Sequence, residues 1–449
     1  MLVVCCLLQQ CSEDQLVQST PAVQTEVAAA QTSATIASIP ACSTCTYVIP
    51  ANTYNIDGTK LGLKPGAVIC LNSATTYKNI FFSNLNGTPD KPITITNCGG
   101  TVNITVSGKS FVFLTQKSKN FRIAGSGGSY GIKLAGATSQ GITLDYLSSD
   151  FEIDHVEISN IGYAGIMAKT DPSCDNATVR GAFTMRNVSI HDNYIHDTKA
   201  EGLYVGNSFY AKGASTSCGS RLPHAIEYVK IYNNIVKNTG HEGIQLGCAT
   251  IGAEVYSNTV DNFGTTNENY HTNGIQLGEG TGGLCYSNWI KKGPGHGISV
   301  LGYGDNVVHD NMIIDAGTNG IFCDERYTPG PGFKFLNNTI INPGNDGIRL
   351  YAELVPMNVV SNNIIVNPKS GVYLQKLNSK VKVTLANNLF TKNIADVKFV
   401  SPSTGNYRIS TSSPAYNKGV DIALYNILQD YYKTARKKGV AYDIGASEY

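Results

Sequence analysis

The sequence predicts an all-β solenoid, a stack of short-stranded coils, and three observations predict it. An Asn is followed nine residues later by a Gly and an aliphatic residue: Asn193 to Gly202-Leu203, Asn234 to Gly243-Ile244, Asn288 to Gly297-Ile298, Asn311 to Gly320-Ile321 and Asn338 to Gly347-Ile348. Altered or partial copies lie at Asn160/Gly165-Ile166, Asn258/Gly274-Ile275, Asn363/Gly371-Val372 and Asn388. The copies recur every 23 to 41 residues with no helical period inside them, as stacked coils require. The composition agrees, with 46 Gly and 25 Tyr against a single Trp, Trp289. Gly and Asn serve turns with unusual backbone angles.

A solenoid grows by adding coils without enlarging a globular core, so a chain of 449 residues need not divide into several globular units. Only 15% of the residues are charged and the net charge is +1. That balance excludes a basic field for nucleic acid and an acidic tail. No Walker loop, nucleophile elbow or dinucleotide fingerprint occurs. A monomer without a nucleic-acid partner is expected.

Taken in order, residues 1–11 read as an export signal: Met1 to Leu8 is short and apolar, and Cys11 precedes Ser12-Glu13-Asp14. This stretch resembles a bacterial lipoprotein signal with Cys11 as the lipidated residue, and the acidic run resembles the surface-export tag of Bacteroidota lipoproteins. The resemblance implies an extracellular or outer-membrane surface location through a lipid anchor. Residues 12–40, rich in Ser, Thr, Ala, Gln and Val without periodicity, read as a flexible tether. Residues 41–400 carry the coils. In Val229-Lys230-Ile231-Tyr232-Asn233-Asn234-Ile235-Val236, apolar and polar residues alternate up to the Asn, as in a half-buried strand. The Asn turns the chain inward, where its amide can bond to the Asn of the next coil. The Gly then opens a third strand. About a dozen coils result, roughly 55 to 65 Å long at a strand spacing of about 4.8 Å. Residues 401–449 break the pattern and are expected to cap the last coil, with a short helix over 421–438, because an open end exposes unpaired strand edges.

Twelve cysteines fit an exported chain. Cys42 and Cys45 form a CxxC with no second pair to complete a zinc site. Cys174 and Cys218 lie in long loops one coil apart and can pair. Setting aside Cys5, Cys6 and Cys11 leaves an odd number, so at least one thiol should be free.

Over about residues 46–400 the repeat resembles the right-handed parallel β-helix of the pectin-lyase-like superfamily. The tail, with Asn406-Tyr407-Arg408-Ile409, Ser413-Pro414-Ala415 and Tyr442-Asp443-Ile444-Gly445-Ala446, resembles the end segment of secreted bacterial β-helix proteins. Families of this kind act on polysaccharides as lyases, hydrolases, epimerases or binders, and the fold alone does not choose among them.

The departures from the repeat point to the working segment. The distance from Gly to the next Asn is 14 to 18 residues in the regular coils, but 28 after Gly165 and 32 after Gly202. These insertions cover approximately 170–186 and 206–227. A third irregularity stretches Asn258 to Gly274 to 16 residues. Insertions in a solenoid project as loops, often on the binding face. All eight histidines fall between 155 and 309, so one groove over 150–300 is expected.

The residues before the glycines include Glu201 and Glu242, which stacking would place about one strand spacing, ~4.8 Å, apart. Such a pair raises the pKa of one member unless a cation bridges it. It suits the acid and nucleophile of a retaining glycosidase, whose carboxyls sit about 5 Å apart, and equally a Ca2+ site. The plain alternative is that each Glu accepts backbone N–H bonds at its turn. His191 and His196, flanking the Asn193 turn, are candidate acid–base groups, and Asp192 beside them a candidate metal ligand. His241-Glu242, one coil on, is expected to stack near this group. Gln245, Gln276 and Tyr204 are candidate sugar contacts, and Arg221 and His224 candidate partners of a substrate carboxylate. Lys169 and Asp171 open the first insertion, Lys169 as a candidate base and Asp171 as a candidate metal ligand. The expected partner is a polysaccharide, cleaved by a lyase or glycoside hydrolase. The competing reading is a non-catalytic glycan binder or adhesin.

Overall fold

The computed structural model describes residues 37–325 and 330–449. The export signal, Cys11, most of the tether and Arg326–Pro329 lie outside the described residues. Each full coil contributes three short strands, for example Ala225–Tyr232, Ile235–Thr239 and Ile244–Leu246. Strands in corresponding positions pair in parallel from coil to coil. Among the described residues they build a first sheet of 14 strands, a second of 11 and a third of 12, in that order along the coil.

The Asn repeat forms the expected internal ladder. Asn193 Nδ2 donates to Asn234 Oδ1 at 3.1 Å, and the chain of amides continues through Asn258, Asn288, Asn311, Asn338 and Asn363 to Asn388. Each Nδ2 also reaches a carbonyl of the preceding coil, as Asn234 does at Ile190 O, 2.9 Å away. These buried polar groups are thus satisfied. The residue ahead of each Asn adopts a left-handed conformation, such as Asn233 with φ 54° and Ser257 with φ 54°. That conformation turns the chain between the first two sheets.

The repeated Gly has another cause. Gly243 does not need a positive φ; a Cβ there would collide with Val260 Cγ1 and lie 2.8 Å from Gly274 O. Adjacent coils approach too closely for a side chain. The next residue enters the core, and Leu203, Ile244, Ile275, Ile298, Ile321 and Ile348 stack in register, fully buried.

Disulfides secure the first coils. Cys42 bonds to Cys98 and Cys45 to Cys70, so the CxxC spans two coils as two separate cross-links. Cys174 pairs with Cys218, and Cys248, Cys285 and Cys323 are free and buried.

Residues 421–438 do not form the expected helix; their only helical turn is a 3-10 turn at Ala423–Tyr425. The tail covers the outside of the second sheet. There Met312, Ile314, Ile341, Ile364 and Val366 face away from the helix interior and pack on Val397, Tyr407, Ile409, Ala415, Ile444 and Ala446. This explains strands such as Ile364-Ile365-Val366 that lack alternation, because a strand covered on both faces is apolar throughout. The buried Arg436 fastens the tail between Asp310 and Glu448, at 3.1 Å from the latter.

Candidate functional site

The irregular coils gather at the third sheet. Its strands Ile166–Ala168, Leu203–Val205, Ile244–Leu246 and Ile275–Leu277 put Met167, Tyr204, Gln245 and Gln276 in one outward row. The first two insertions rise at the C-terminal ends of these strands and are joined by Cys174–Cys218. Arg180 of the first lies 3.7 Å over the Tyr210 ring of the second, whose hydroxyl reaches Tyr303 at 3.2 Å. The third irregularity rises at the opposite, N-terminal ends and carries Glu268 and His271. Together they flank the outward row at both ends of its strands.

Along this row, Tyr204 Oη and Gln245 Nε2 meet at Ser208 Oγ, at 3.3 and 3.2 Å, and Gln245 Oε1 makes no hydrogen bond. Lys169 Nζ lies 4.9 Å over the Tyr204 ring and 2.9 Å from Asp171 Oδ1. Burial alone would lower the Lys169 pKa, but Tyr204, Asp171 and Glu201 outweigh it and raise it. Lys169 is therefore held as a cation, the opposite of what a free base needs.

At the N-terminal edge, Glu201, His241, Glu242 and His271 bring one ligand-type atom each within 4.8 Å of one another. Glu201 and Glu242 are 2% and 0% exposed. Gly202 N bonds to Glu242 O at 3.0 Å, which fixes them one coil apart. Among the described residues, neither side chain accepts the backbone N–H bond that the plain alternative requires. Glu242 Oε1 accepts from Asn273 Nδ2 at 3.1 Å, while Glu242 Oε2 and Glu201 Oε2 have no hydrogen-bond partner. His241 Nε2 lies 2.9 Å from Glu268 Oε2, and its Nδ1 faces Glu201 Oε1 at 3.8 Å. His271 stacks on the His241 ring, with Nδ1 3.5 Å from Glu242 Oε2. The Glu201 carboxylate raises the His241 pKa against burial, with help from Glu268, and Glu242 does the same for His271. Burial, then the charges of Glu201, Tyr204 and Glu242, push the Tyr163 hydroxyl far above its ordinary range. The edge is a concentrated negative field that draws in positive charge.

Comparison with known proteins matches this architecture. The family model described as NosD, periplasmic copper-binding protein, matches residues 249–423. A GH136 lacto-N-biosidase from Eubacterium ramulus superposes with a TM-score of 0.50 at 12% identity, covering 77% of this chain and 67% of its own. The protein is a parallel β-helix. A pectate lyase, Pel9A, is similar over 90% of this chain and 96% of its own, at 12% identity and a TM-score of 0.47. An alginate lyase from Paenibacillus sp. str. FPU-7 is similar over 77% of this chain and 100% of its own, at 17% identity and 0.39. No curated protein matches the sequence.

A β-helix coil has three outward faces, and this corrects the expectation of one groove holding all the histidines. His191 lies on the first sheet, bonded to Glu152 at 2.9 Å and Asp192 at 2.7 Å and stacked on Tyr232. Burial alone would lower its pKa, but those carboxylates raise it to about 9. His196 lies on the second sheet, stacked on Tyr194 and bonded to Asp197 at 2.6 Å. The Asn193 turn between them carries the two rings onto different sheets. Asp192 stays with His191 and Asp171 with Lys169, so the two candidate metal ligands do not converge. His224 is fully buried and bonds to backbone, accepting from Thr170 N at 3.1 Å. Burial pushes its pKa down to about 4, so it is a neutral structural group rather than a carboxylate receptor. Arg221 sits on a two-stranded hairpin of the second insertion, its Nη1 donating to Ser220 O at 3.2 Å. Sequence reasoning missed Tyr163, Glu268, His271 and Asn273 as site residues, although the spacing of the third irregularity pointed to the loop that carries His271.

Proposed function

We propose that this β-helix is an extracytoplasmic, glycan-active protein that cleaves a polysaccharide in the groove over its third sheet. The observation that carries the reading is the buried pair Glu201 and Glu242, each with an Oε2 that makes no hydrogen bond. Each has a histidine nitrogen nearby, His241 Nδ1 at 3.8 Å from Glu201 Oε1 and His271 Nδ1 at 3.5 Å from Glu242 Oε2. Two carboxylates this close take up a positive charge between them, a proton or a cation. Either places an electrophile beside the floor row. Tyr204, with Lys169 above its ring, offers a flat face for a sugar and a cation for an acidic one. Gln245 and Gln276 offer amides for hydroxyl groups. The lacto-N-biosidase that shares the fold supports a glycan as the substrate class. The three disulfides support an oxidising compartment outside the cytoplasm, as does the word periplasmic in the matched family description.

A panel of neutral and uronate-containing polysaccharides tests the reading. New ultraviolet absorbance from an unsaturated uronate identifies a lyase, and new reducing ends without it identify a hydrolase. Binding with neither product would replace the enzyme reading with that of a glycan binder. A lipid anchor at Cys11 belongs to the same proposal, on the residues Cys11-Ser12-Glu13-Asp14. Cys11→Ser should move the protein from the membrane to the soluble fraction, and an unchanged distribution would remove the anchor.

A further inference from the structure

The four-residue cluster at the groove edge has more order than two carboxylates need for sharing a proton. Its members converge from three places in the chain: Glu201 from one coil, His241-Glu242 from the next and His271 from the extended loop before Gly274. Each contributes one atom to a common space within 4.8 Å. In these residues Glu201 Oε2, His241 Nδ1, Glu242 Oε2 and His271 Nδ1 are buried without a hydrogen bond. The cross-cluster contacts, His271 Nδ1–Glu242 Oε2 at 3.5 Å and His241 Nδ1–Glu201 Oε1 at 3.8 Å, are long. A buried polar atom without a hydrogen bond is costly, and a single cation among these four would satisfy them together.

The surrounding bonds orient these atoms. Glu268 Oε2, 2.9 Å from His241 Nε2, can accept a hydrogen bond from an Nε2–H, which leaves the Nδ1 lone pair aimed at the Glu201 side. Asn273 Nδ2 occupies Glu242 Oε1 and leaves Oε2 turned to His271. A carboxylate behind a ligating imidazole and an amide behind a ligating carboxylate are the supports that metal sites use to fix tautomer and orientation. Two imidazoles with two carboxylates suit a divalent first-row transition ion. Calcium, by contrast, takes six to eight oxygens and no imidazole.

We propose that Glu201, His241, Glu242 and His271 bind a single divalent transition-metal ion at the edge of the glycan groove, with Glu268 and Asn273 as positioning residues. The inference rests on the proposed groove only for its purpose; the binding itself is independent of any glycan. The ion neutralises the carboxylate pair and sets a Lewis acid where a sugar on Tyr204 and Gln245 would reach it.

The test is calorimetric titration of the chelator-treated full chain with Zn2+, and with Ca2+ in parallel. One Zn2+ per chain is expected, with no comparable Ca2+ binding. His271→Ala and Glu242→Gln should each weaken Zn2+ binding by about 100-fold or more. The exposed Glu268→Gln, which threatens the fold least, should weaken it by about 10- to 100-fold. His191→Gln, on another face, should leave it unchanged. Absence of stoichiometric Zn2+ binding would overturn the proposal, and so would Zn2+ binding indifferent to His271→Ala and Glu268→Gln. A site preferring Ca2+ would overturn it as well. Zn2+ binding without glycan cleavage would uphold the metal and reject the enzyme; cleavage that survives chelation without Zn2+ binding would do the reverse.

Discussion

Two clusters of histidine and carboxylate sit within a few coils of each other and share nearly the same composition. Glu152, Asp154 and His191 on the first sheet, and Glu201, His241, Glu242 and His271 beside the third, each hold their ligand-type atoms within 4.8 Å. The first is internally settled. Arg122 bonds to Asp154 at 2.7 Å and pairs with Glu152 at 3.4 Å, His155 takes the other Asp154 oxygen, and His191 is bonded through both ring nitrogens. The second has no arginine among its described partners, and four of its buried atoms make no hydrogen bond. The difference teaches that residue types do not separate a structural cluster from a reactive one. What separates them is whether the protein itself satisfies the charges.

The comparison breaks most readily on activity. Glu201→Gln or Glu242→Gln should lower kcat/KM on a cleaved glycan by about 10²- to 10⁴-fold, the range for loss of an acid–base group. His191→Gln should stay within about threefold; equal losses at the two clusters would erase the distinction. Stability should respond in the opposite sense. The pKa of His191 is about 9 in the folded protein, against about 6.5 unfolded. Its contribution is therefore full below about pH 6.5 and lost as pH rises through about 9. Urea unfolding of His191→Gln at pH 7 should show a loss of about 2 to 3 kcal/mol that closes above pH 9. A difference independent of pH would mean that His191 acts by packing alone. The smallest effect is expected on the groove floor. Tyr204→Ala should raise KM about fivefold, the scale of one aromatic contact near 1 kcal/mol, with little change in kcat. An unchanged KM would move the substrate off the third sheet.

Much of the fold was legible because its causes are local or periodic. The Asn ladder, the inward Ile after each Gly and the parallel stacking follow from a repeat that brings like residues together in every coil. Cys174 and Cys218 were legible for the same reason, as neighbours one coil apart. The pairings of Cys42 with Cys98 and Cys45 with Cys70 were not, because they cross coils before the repeat becomes regular. The tail was misjudged at 421–438, where Leu and Tyr that suggested a helix instead serve irregular packing; the apolar strands Met312–Ala316 and Ile364–Val366 were the overlooked sign of a cover. Within the site, Glu201, Glu242 and His241 could be found because they occupy fixed positions before a repeated Gly. Glu268 and His271 sit in an irregular loop, where sequence distance no longer reports spatial distance.

The sequence by itself determined the coil, its core and its internal ladder, because a 4.8 Å repeat turns one-dimensional spacing into three-dimensional neighbours. It also determined that the irregular coils between Gly165 and Gly274 would carry inserted loops. Only the tertiary structure decided which of three faces each side chain occupies. A single turn separates faces that point in different directions, so His191 and His196, five residues apart, end on different sheets, while Glu201 and His271, seventy apart, meet.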